Sequence, residues 1–306
     1  MKPTVFIDGE AGTTGLQIRE RLAGRGDIEL LSIDPAKRKD ERARAELLNE
    51  ANVAILCLPD EAAREAVKLV TNPQTVIIDA SSAHRTDPDW SYGFPEMATG
   101  QRDLIKASKR ISNPGCYPTG FIALMRPLVE AGLVPADYPV TVNAVSGYSG
   151  GGRKMIEEFE AGGDAYRSYG LKQQHKHAPE MMHHAGLAHA PVFTPAVGHY
   201  AQGMIVEVPL ALWSLPGTTR ADIAETYEQA YGSAQFIDLY APEKADALSA
   251  VEPMAHNGSN MMDLLIFGSD EQARLIARYD NLGKGASGAA VQNLNIVLGV
   301  DEATGL

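Results

Sequence analysis

The chain has 306 residues, of which 44% are hydrophobic and 22% charged, a composition typical of a globular protein long enough for two domains. Its formal net charge of −12 disfavours nucleic acid and an anionic membrane surface as partners, although a local arginine cluster can still bind an anionic small molecule. Two cysteines, Cys57 and Cys116, are too few for a disulfide framework. With no signal peptide and no apolar run of roughly 20 residues, we expect a cytoplasmic protein.

The N-terminal segment is predicted to form a strand, a glycine turn and a helix. Thr4–Asp8 is rich in β-formers, and glycines recur at intervals of three over residues 9–15 before a helical pattern begins. Such glycines let the backbone approach a pyrophosphate, which binds the N–H groups at the start of the helix. Glycines also mark ordinary strand-to-helix turns, but this position in the chain favours a dinucleotide site. The residues expected to hold the cofactor here are Gly9, Gly12, Thr13, Thr14 and Gly15.

A second strand, over residues 28–33, ends where the ribose 2′ position of a dinucleotide would be recognised. Asp34 follows it, and the run Lys37-Arg38-Lys39 comes next. An acid at this place favours a free 2′-hydroxyl, whereas cations favour a 2′-phosphate. The chain carries both, so these residues leave NAD and NADP open. A solvated helix face is the other interpretation of the basic segment over residues 37–44.

The alternation of strand and helix then repeats. Residues 53–58 form a continuous apolar run, as expected of a parallel strand buried on both faces, so we interpret Cys57 as part of the core. A helix over residues 61–70 and a strand over residues 75–79 follow, which together predict a doubly wound parallel sheet of the Rossmann type. Arg85, just beyond that strand, is a candidate anion ligand, with a surface arginine as the alternative.

Cys116 lies among turn-forming residues, ahead of a helix-like run over residues 120–134. Pro118 has the fixed φ that suits a first helical turn, where its missing N–H is no loss. The N-terminus of a helix stabilises a thiolate over a thiol. Cys116 is therefore either a catalytic nucleophile or a small buried hydrophobe. We expect Pro127 to kink the helix or to make it restart.

From residue 140 onward the pattern predicts a second, α+β domain with a mixed or antiparallel sheet. A strand over residues 140–146 leads into a glycine-rich segment that ends in Arg153 and precedes a helix. Backbone N–H groups and Arg153 there can hold an anion, and a flexible connector is the alternative. Residues 268–271 are predicted to be the loop of a hairpin, and a final helix begins near residue 289.

His175 and His177 bring two imidazoles to one side of an extended segment. Although three further histidines follow within fifteen residues, the spacing matches no common metal motif, so we predict no metal. A general acid or base acting with Cys116 is the preferred interpretation, and these residues do not decide which histidine it is. The alternative is a polar entry into a helix with Pro179 in its first turn.

Seven motifs, in order along nearly the whole chain, carry a resemblance to a known enzyme family. They are G-E-A-G-T-T-G at residues 9–15, D-A-S-S-A-H-R at 79–85, Y-G-F-P-E at 92–96, S-N-P-G-C-Y-P-T at 112–119, S-G-Y-S-G-G-G-R-K at 146–154, H-K-H-A-P-E-M at 175–181 and D-N-L-G-K-G-A-S-G-A-A-V-Q-N at 280–293. With them the chain resembles the N-acetyl-γ-glutamyl-phosphate reductases of the arginine pathway, in their shorter type 2 form. The first and last motifs are shared with the related aspartate-semialdehyde dehydrogenases.

The resemblance implies the reduction of N-acetyl-γ-glutamyl phosphate to the semialdehyde through a cysteine thioester, with NADPH as cofactor. Cys116 would be the nucleophile and His175 the acid/base, with His177 as the other candidate. The residues implied to bind the substrate are Arg85, Ser146 and Arg153. An aspartate-semialdehyde dehydrogenase-like enzyme and a non-catalytic dinucleotide-binding sensor are the alternative functions.

The resemblance also adds weight to Arg38 as a contact of the 2′-phosphate and places Gly285 at the cofactor. We expect a dinucleotide-binding domain over residues 1–116, completed by the C-terminal segment 285–306. Residues 117–284 are expected to form the catalytic and substrate domain, which also joins subunits in a homo-oligomer, a dimer or a tetramer.

Overall fold

A computed structural model describes all 306 residues, which divide into two compact units. One unit comprises Met1–Pro95, Gly100–Gly115 and Ala286–Leu306, and the other comprises Glu96–Thr99 and Cys116–Gly285. None of the helices combines the length and the apolarity that crossing a membrane requires.

Ten α-helices are distributed over the two units. They are α1 (Thr13–Leu22), α2 (Glu41–Glu50), α3 (Asp60–Leu69), α4 (Gln101–Ala107), α5 (Cys116–Glu130), α6 (Gly152–Glu160), α7 (Ala178–Ala185), α8 (Arg220–Tyr231), α9 (Pro242–Asp246) and α10 (Gly288–Leu298). The first four and α10 belong to the first unit, and α5 to α9 belong to the second.

The first unit is built on a six-stranded parallel sheet, which confirms the predicted doubly wound architecture. Its strands are β1 (Thr4–Asp8), β2 (Glu29–Leu31), β3 (Val53–Leu56), β4 (Val76–Asp79), β5 (Ser91–Tyr92) and β6 (Arg110–Ser112). They lie side by side in the order β2-β1-β3-β4-β6-β5, and every neighbouring pair is parallel. All residues of β3 and β4 are buried, which is why these strands are continuous apolar runs in the sequence.

Alternate residues of β1 belong to different cores on the two faces of this sheet. Val5 and Ile7 pack in a cluster with apolar residues of α1, α4 and α10, whereas Phe6 packs with Leu48 of α2 and Ala66 of α3. Because successive side chains of a strand point to opposite faces, helices cover the sheet on both sides. The C-terminal helix is therefore part of the core of the first unit.

The second unit contains a seven-stranded mixed sheet, as predicted. Its strands are β7 (Thr141–Gly147), β8 (Tyr166–Ser168), β9 (Val192–Gly198), β10 (Met204–Leu210), β11 (Ile237–Leu239), β12 (Met262–Gly268) and β13 (Ala273–Tyr279), in the spatial order β11-β12-β13-β10-β7-β9-β8. Two pairs, β11 with β12 and β7 with β9, are parallel, and the others are antiparallel. Gly268 pairs with Ala273, so the predicted hairpin loop lies one residue later, at residues 269–272.

Helix α5 differs from its predicted form at both ends. Cys116 is the first residue of the helix and does not precede it, and the helix continues through Pro127 to Glu130 without the expected restart. Proline has no N–H, so the carbonyl of Ala123, four residues earlier, loses its helical donor at Pro127. The buried hydroxyl of Tyr231 in α8 donates to the Ala123 oxygen at 2.9 Å instead. A side chain from a distant helix thus lets α5 accommodate its proline.

We predict that Tyr231→Phe lowers the free energy of unfolding by about 1–3 kcal/mol, because it leaves the buried carbonyl of Ala123 without a donor. Urea denaturation of the full chain measures the loss. In a Pro127→Ala background residue 127 regains its N–H and can donate to Ala123, so the same tyrosine substitution should cost less. An equal cost in both backgrounds would contradict this account.

Candidate active site

The two cysteines occupy different environments. Cys57 follows β3, and burial raises the pKa of its thiol to about 12, so it stays protonated near neutral pH. Cys116 is half-buried and begins α5, directly after the turn formed by Asn113, Pro114 and Gly115. The positive end of a helix stabilises a thiolate at that position. Of the two thiols, only Cys116 has the surroundings of a nucleophile.

The two predicted histidines lie together against the residue that follows Cys116. The rings of His175 and His177 meet nearly edge to face with centroids 4.7 Å apart. The Tyr117 ring contacts both of them, at 6.3 Å from His175 and 5.9 Å from His177. The Tyr117 hydroxyl donates to the carbonyl of Ala196 at 3.0 Å and accepts from the Tyr169 hydroxyl at 3.2 Å. Within the second unit, Tyr117 therefore joins the cysteine-bearing helix to the histidine pair.

His175 is held in one protonation form. Its pKa is lowered from the usual value, first by burial and then by the positive charge of Lys176. The backbone N–H of His177 donates to His175 Nδ1 at 3.2 Å, which requires an unprotonated Nδ1. The neutral ring consequently carries its proton on Nε2. His177 precedes α7, whose first turn contains Pro179, as the alternative interpretation of this segment expected.

The segment after β13 ties several loops of the second unit together. The Asp280 carboxylate accepts from the backbone N–H of Gly258 at 2.8 Å and from that of Leu282 at 2.9 Å. The next side chain, Asn281, accepts from the Gly203 N–H at 2.8 Å and donates to Ser149 Oγ at 3.0 Å. Asn281 thus fixes the glycine-rich segment that sequence reasoning interpreted as an anion site, a role that its motif alone did not reveal.

Gly285 lies against the cysteine. A Cβ added at Gly285 would lie 3.1 Å from the Cβ of Cys116, so a side chain here would press on Cys116. Its neighbour Lys284 is fully buried and pairs with the buried carboxylate of Glu96 at 2.7 Å. A buried charge is tolerated only with such a partner, so this ion pair holds the segment in place behind Cys116.

The two proposed substrate ligands of the second unit differ in exposure. Ser146 is buried at the end of β7, and its hydroxyl donates to the carbonyl of Gly147 at 3.1 Å. Arg153 is exposed in the first turn of α6. The glycine-rich segment therefore leads from a buried hydroxyl to an exposed guanidinium at a helix N-terminus.

Arg85, in the first unit, is buried and binds main-chain oxygens. Its Nε donates to the carbonyl of Asn113 at 2.9 Å and a terminal nitrogen donates to that of Ala80 at 3.1 Å. The loop that carries it is fixed by Asp79, which binds His84 Nδ1 at 2.7 Å. Arg85 thereby supports the turn that precedes Cys116 in the chain, whatever else it binds.

The glycine turn of the first unit has the shape that a dinucleotide requires. Gly9 has a φ of +90°, and a Cβ there would lie 2.4 Å from the Cys57 carbonyl oxygen. A Cβ on Gly15 would lie 2.5 Å from the oxygen of Gly9, so the turn closes only with glycine at both positions. No side chain caps α1 at Gly12, which leaves its first turn, including Thr13 and Thr14, suited to an anion.

A cavity of about 260 Å³ adjoins this turn. Its lining includes Arg38, Lys39 and Arg44 together with Asp8 and Glu10. By contrast, Asp34 lies outside this lining and uses its carboxylate to accept from the Ala36 N–H at 2.9 Å. Of the two conflicting signals in the sequence, the cations are the ones that line the cavity.

Two acidic residues hold the cations of this cavity in place. Glu10 pairs with Arg38 at 3.2 Å and also with Arg19, and Asp8 pairs with Arg44 at 2.7 Å. Sequence reasoning missed Glu10 and Arg44 as parts of the site. The signal for Glu10 was its position inside the glycine motif itself.

Two family models match the chain. One, described as the NAD binding domain of semialdehyde dehydrogenases, matches residues 29–106. The other, described as the semialdehyde dehydrogenase dimerisation domain, matches residues 116–281, more than half of the chain.

Relatives with curated names match over nearly their whole length. The chain is 51% identical to "N-acetyl-gamma-glutamyl-phosphate reductase 2" of Nostoc sp., with 100% of this chain and 99% of the relative covered. It is 53% identical to "N-acetyl-gamma-glutamyl-phosphate reductase" of Burkholderia orbicola, with 98% and 99% covered. It is 52% identical to "N-acetyl-gamma-glutamyl-phosphate reductase 2" of Pseudomonas putida, with 99% of each covered.

Solved structures share the fold at much lower identity. Aspartate semialdehyde dehydrogenase II of Vibrio cholerae superposes with a TM-score of 0.71 at 16% identity, over 97% of this chain and 98% of that one. Aspartate semialdehyde dehydrogenase of Candida albicans, solved with NADP, gives a TM-score of 0.65 at 13% identity, over 97% and 99%.

We predict that iodoacetamide at pH 8 modifies Cys116 and leaves Cys57 intact, because the raised pKa keeps the Cys57 thiol protonated. Mass spectrometry of digested protein locates the adduct. Native Cys116→Ser should remain unmodified, whereas the unfolded wild-type chain should be alkylated at both positions. Comparable rates at the two thiols of the native protein would contradict the assignment.

Proposed function

Because the chain belongs to the N-acetyl-γ-glutamyl-phosphate reductases, as its motifs predicted, we propose that it reduces N-acetyl-γ-glutamyl phosphate to N-acetylglutamate 5-semialdehyde and releases phosphate, a step of arginine biosynthesis. The observation that carries the proposal is Cys116 at the N-terminus of α5, joined through Tyr117 to a pair of histidines. We place the reaction in the cytoplasm, where reducing conditions suit two free thiols.

Cys116 acts as the nucleophile. Its thiolate attacks the acyl carbon of the substrate, a carbon–sulfur bond forms, and the carbon–oxygen bond to phosphate breaks with the electron pair leaving on phosphate. The product of this half-reaction is a thioester on Cys116, which accepts hydride more readily than an oxygen ester does. The backbone N–H of Cys116 at the helix start is a donor for the oxyanion that develops on the substrate carbonyl.

His175 donates a hydrogen bond to the carbonyl oxygen of the substrate. Burial and Lys176 keep the ring neutral, and the bond from the His177 N–H leaves its proton on Nε2. A neutral Nε2–H is a donor toward the oxygen on which negative charge develops, both in thioester formation and in its reduction. The backbone of His177 thus orients the ring of His175, and the ring of His177 completes the cluster with Tyr117.

Arginines and a glycine-rich turn bind the anionic groups of the substrate. The substrate carries a phosphate and a carboxylate, both of which match a guanidinium. We assign these groups to Arg85 and to the segment that runs from Ser146 to Arg153. In this segment the buried hydroxyl of Ser146 and the exposed N-terminus of α6 with Arg153 would both contact the bound anion, from opposite sides.

NADPH is the cofactor in this proposal, and when bound it would supply the hydride that reduces the thioester to a thiohemiacetal oxyanion on Cys116. That oxyanion, hydrogen-bonded by His175 Nε2–H, then collapses to the aldehyde as the carbon–sulfur bond breaks and its electron pair returns to the Cys116 thiolate.

The pyrophosphate of NADPH would be held by the turn Gly9–Gly15, with the N–H groups of Thr13 and Thr14, because the close approaches of Gly9 and Gly15 leave no room for side chains. Arg38 would contact the 2′-phosphate in the cavity that it lines. Gly285, whose bare Cα faces Cys116, would let the cofactor come near the thioester.

The second unit is also the proposed contact between subunits of a homo-oligomer. The family model that matches it describes a dimerisation domain. In β10, Met204, Val206 and Val208 are buried, while the intervening Ile205 and Glu207 on the opposite face of the sheet stay partly exposed. A half-covered sheet face of this kind is suited to a second copy of the chain.

We predict that the reverse reaction, with NADP⁺ and phosphate, runs on N-acetylglutamate semialdehyde with a kcat/KM at least about 100-fold above that on aspartate semialdehyde, because a site built for an acetamide has no acid for the ammonium. Absorbance at 340 nm measures both. Cys116→Ser should abolish turnover while NADPH binding, followed by its fluorescence, stays near normal. Faster oxidation of aspartate semialdehyde would favour the rival dehydrogenase, and unchanged turnover of the serine variant would refute the nucleophile.

We predict that His175→Asn lowers kcat by about 100-fold and that His177→Asn, which keeps the backbone N–H toward His175, lowers it less. The pKa of His175 is lowered from its usual value of 6.5, and protonation of Nδ1 would break the bond from the His177 N–H that orients the ring, so wild-type kcat should fall only as pH drops through that lowered pKa. The rate profile of His175→Asn should lack this fall, and that of His177→Asn should keep it. A larger loss at His177 would transfer the role to that residue.

A further inference from the structure

The first turn of α5 contains a hydroxyl group from another part of the second unit. In a regular α-helix the N–H of Gly120 would donate to the carbonyl of Cys116, four residues earlier. The Gly120 N–H also donates to the hydroxyl of Tyr279 at 3.0 Å, and that hydroxyl donates to the Cys116 carbonyl at 2.5 Å. The phenol oxygen therefore contacts both backbone groups of this helical pair from outside the helix.

The position of this hydroxyl is fixed from both sides. Tyr279 is the last residue of β13, which lies between β10 and β12, and its backbone pairs with Met204 and Met262. Its side chain is fully buried. On the helix side, a Cβ on Gly120 would lie 2.6 Å from the hydroxyl oxygen, so only glycine admits the ring this close.

The hydroxyl of Tyr279 keeps its proton near neutral pH. Burial raises the pKa of Tyr279 well above its usual value, and a negative charge on Cys116 raises it further. Burial also raises the pKa of Tyr117 and of Tyr169, and the charge on Cys116 adds to both effects, so all three phenols stay neutral. A protonated phenol can both donate to Cys116 and accept from Gly120, and a phenolate could not donate.

We propose that Tyr279 is the positioning residue of Cys116: its bridging hydroxyl sets the backbone of the first turn and thereby the direction of the nucleophile. This inference rests on the proposed role of Cys116 as the nucleophile. Without the hydroxyl, the Gly120 N–H and the Cys116 carbonyl lose the partner that ties them to β13, and the first turn of the helix is free to shift. The thiolate then loses its alignment with the N–H groups of the helix N-terminus.

The same helix provides a matched control. Tyr231 also donates a buried hydroxyl to a carbonyl of α5, that of Ala123, two turns beyond Cys116. Both tyrosines are fully buried, and both donate to backbone carbonyls of α5. Tyr231→Phe therefore removes a comparable bond from the same helix without touching its first turn.

The experiment compares Tyr279→Phe with Tyr231→Phe in the full chain. For Tyr279→Phe we expect kcat to fall at least about tenfold with KM within about threefold, since misplacing a reacting group costs rate more than binding. The pH midpoint of Cys116 alkylation by iodoacetamide should rise by about half a pH unit. Tyr231→Phe should keep both the midpoint and kcat while losing stability.

A second variant approaches the same bridge from the helix. Gly120→Ala keeps the phenol but displaces it, and it should reproduce the loss of kcat and the shifted midpoint. Three results would overturn the inference. They are wild-type kcat and midpoint in Tyr279→Phe, equal losses in Tyr231→Phe, and failure of both Tyr279→Phe and Gly120→Ala to yield folded protein.

A failure of the proposed function would look different. It would show as turnover by Cys116→Ser, whereas alkylation measures the state of the thiol without any turnover.

Discussion

The second unit depends on how the first turn of α5 is held. A thiolate at a helix start is stabilised only while it stays aligned with the N–H groups there. In this chain the turn is fixed from outside the helix, by the Tyr279 hydroxyl between Cys116 and Gly120. Strand β13 and helix α5 are thereby coupled at Cys116, so the sheet of the second unit supports the start of the helix.

The segment that follows β13 extends the same support. Asp280 and Asn281 accept from the backbone N–H groups of Gly258 and Gly203 in two other loops, and the buried pair of Lys284 with Glu96 holds the segment where Gly285 meets Cys116. This short segment thus fixes the loops near Cys116, and these hydrogen bonds are all made with residues of the second unit. If either member of such a pair moved away, the other charge would stay buried without a partner, which is strongly unfavourable. The pair therefore keeps the segment in one position.

In the first unit, electrostatics rather than shape distinguish the two cofactors. The glycine turn admits any dinucleotide pyrophosphate, because it offers backbone N–H groups alone. Selection of a 2′-phosphate requires cations, and Arg38, Lys39 and Arg44 line the adjoining cavity. Glu10 and Asp8 pair with two of these arginines, so the three cations and two acids of the lining leave one positive charge in excess, although the whole chain is negative.

The sequence by itself determined the parallel sheet, the mixed sheet and the candidate nucleophile, because apolar periodicity, glycine spacing and a cysteine at a helix start are local signals. The sequence also placed His175 and His177 close together, because they are only two positions apart in the chain. Tertiary structure alone decided how the first turn of α5 is held and how the helix passes through Pro127, because the hydroxyls of Tyr279 and Tyr231 come from residues more than 100 positions away. Likewise, only the structure shows that the Asp34 carboxylate accepts from the nearby Ala36 N–H, whereas the cations line the cavity. Such long-range hydrogen bonds leave no periodicity in the sequence from which they could be predicted.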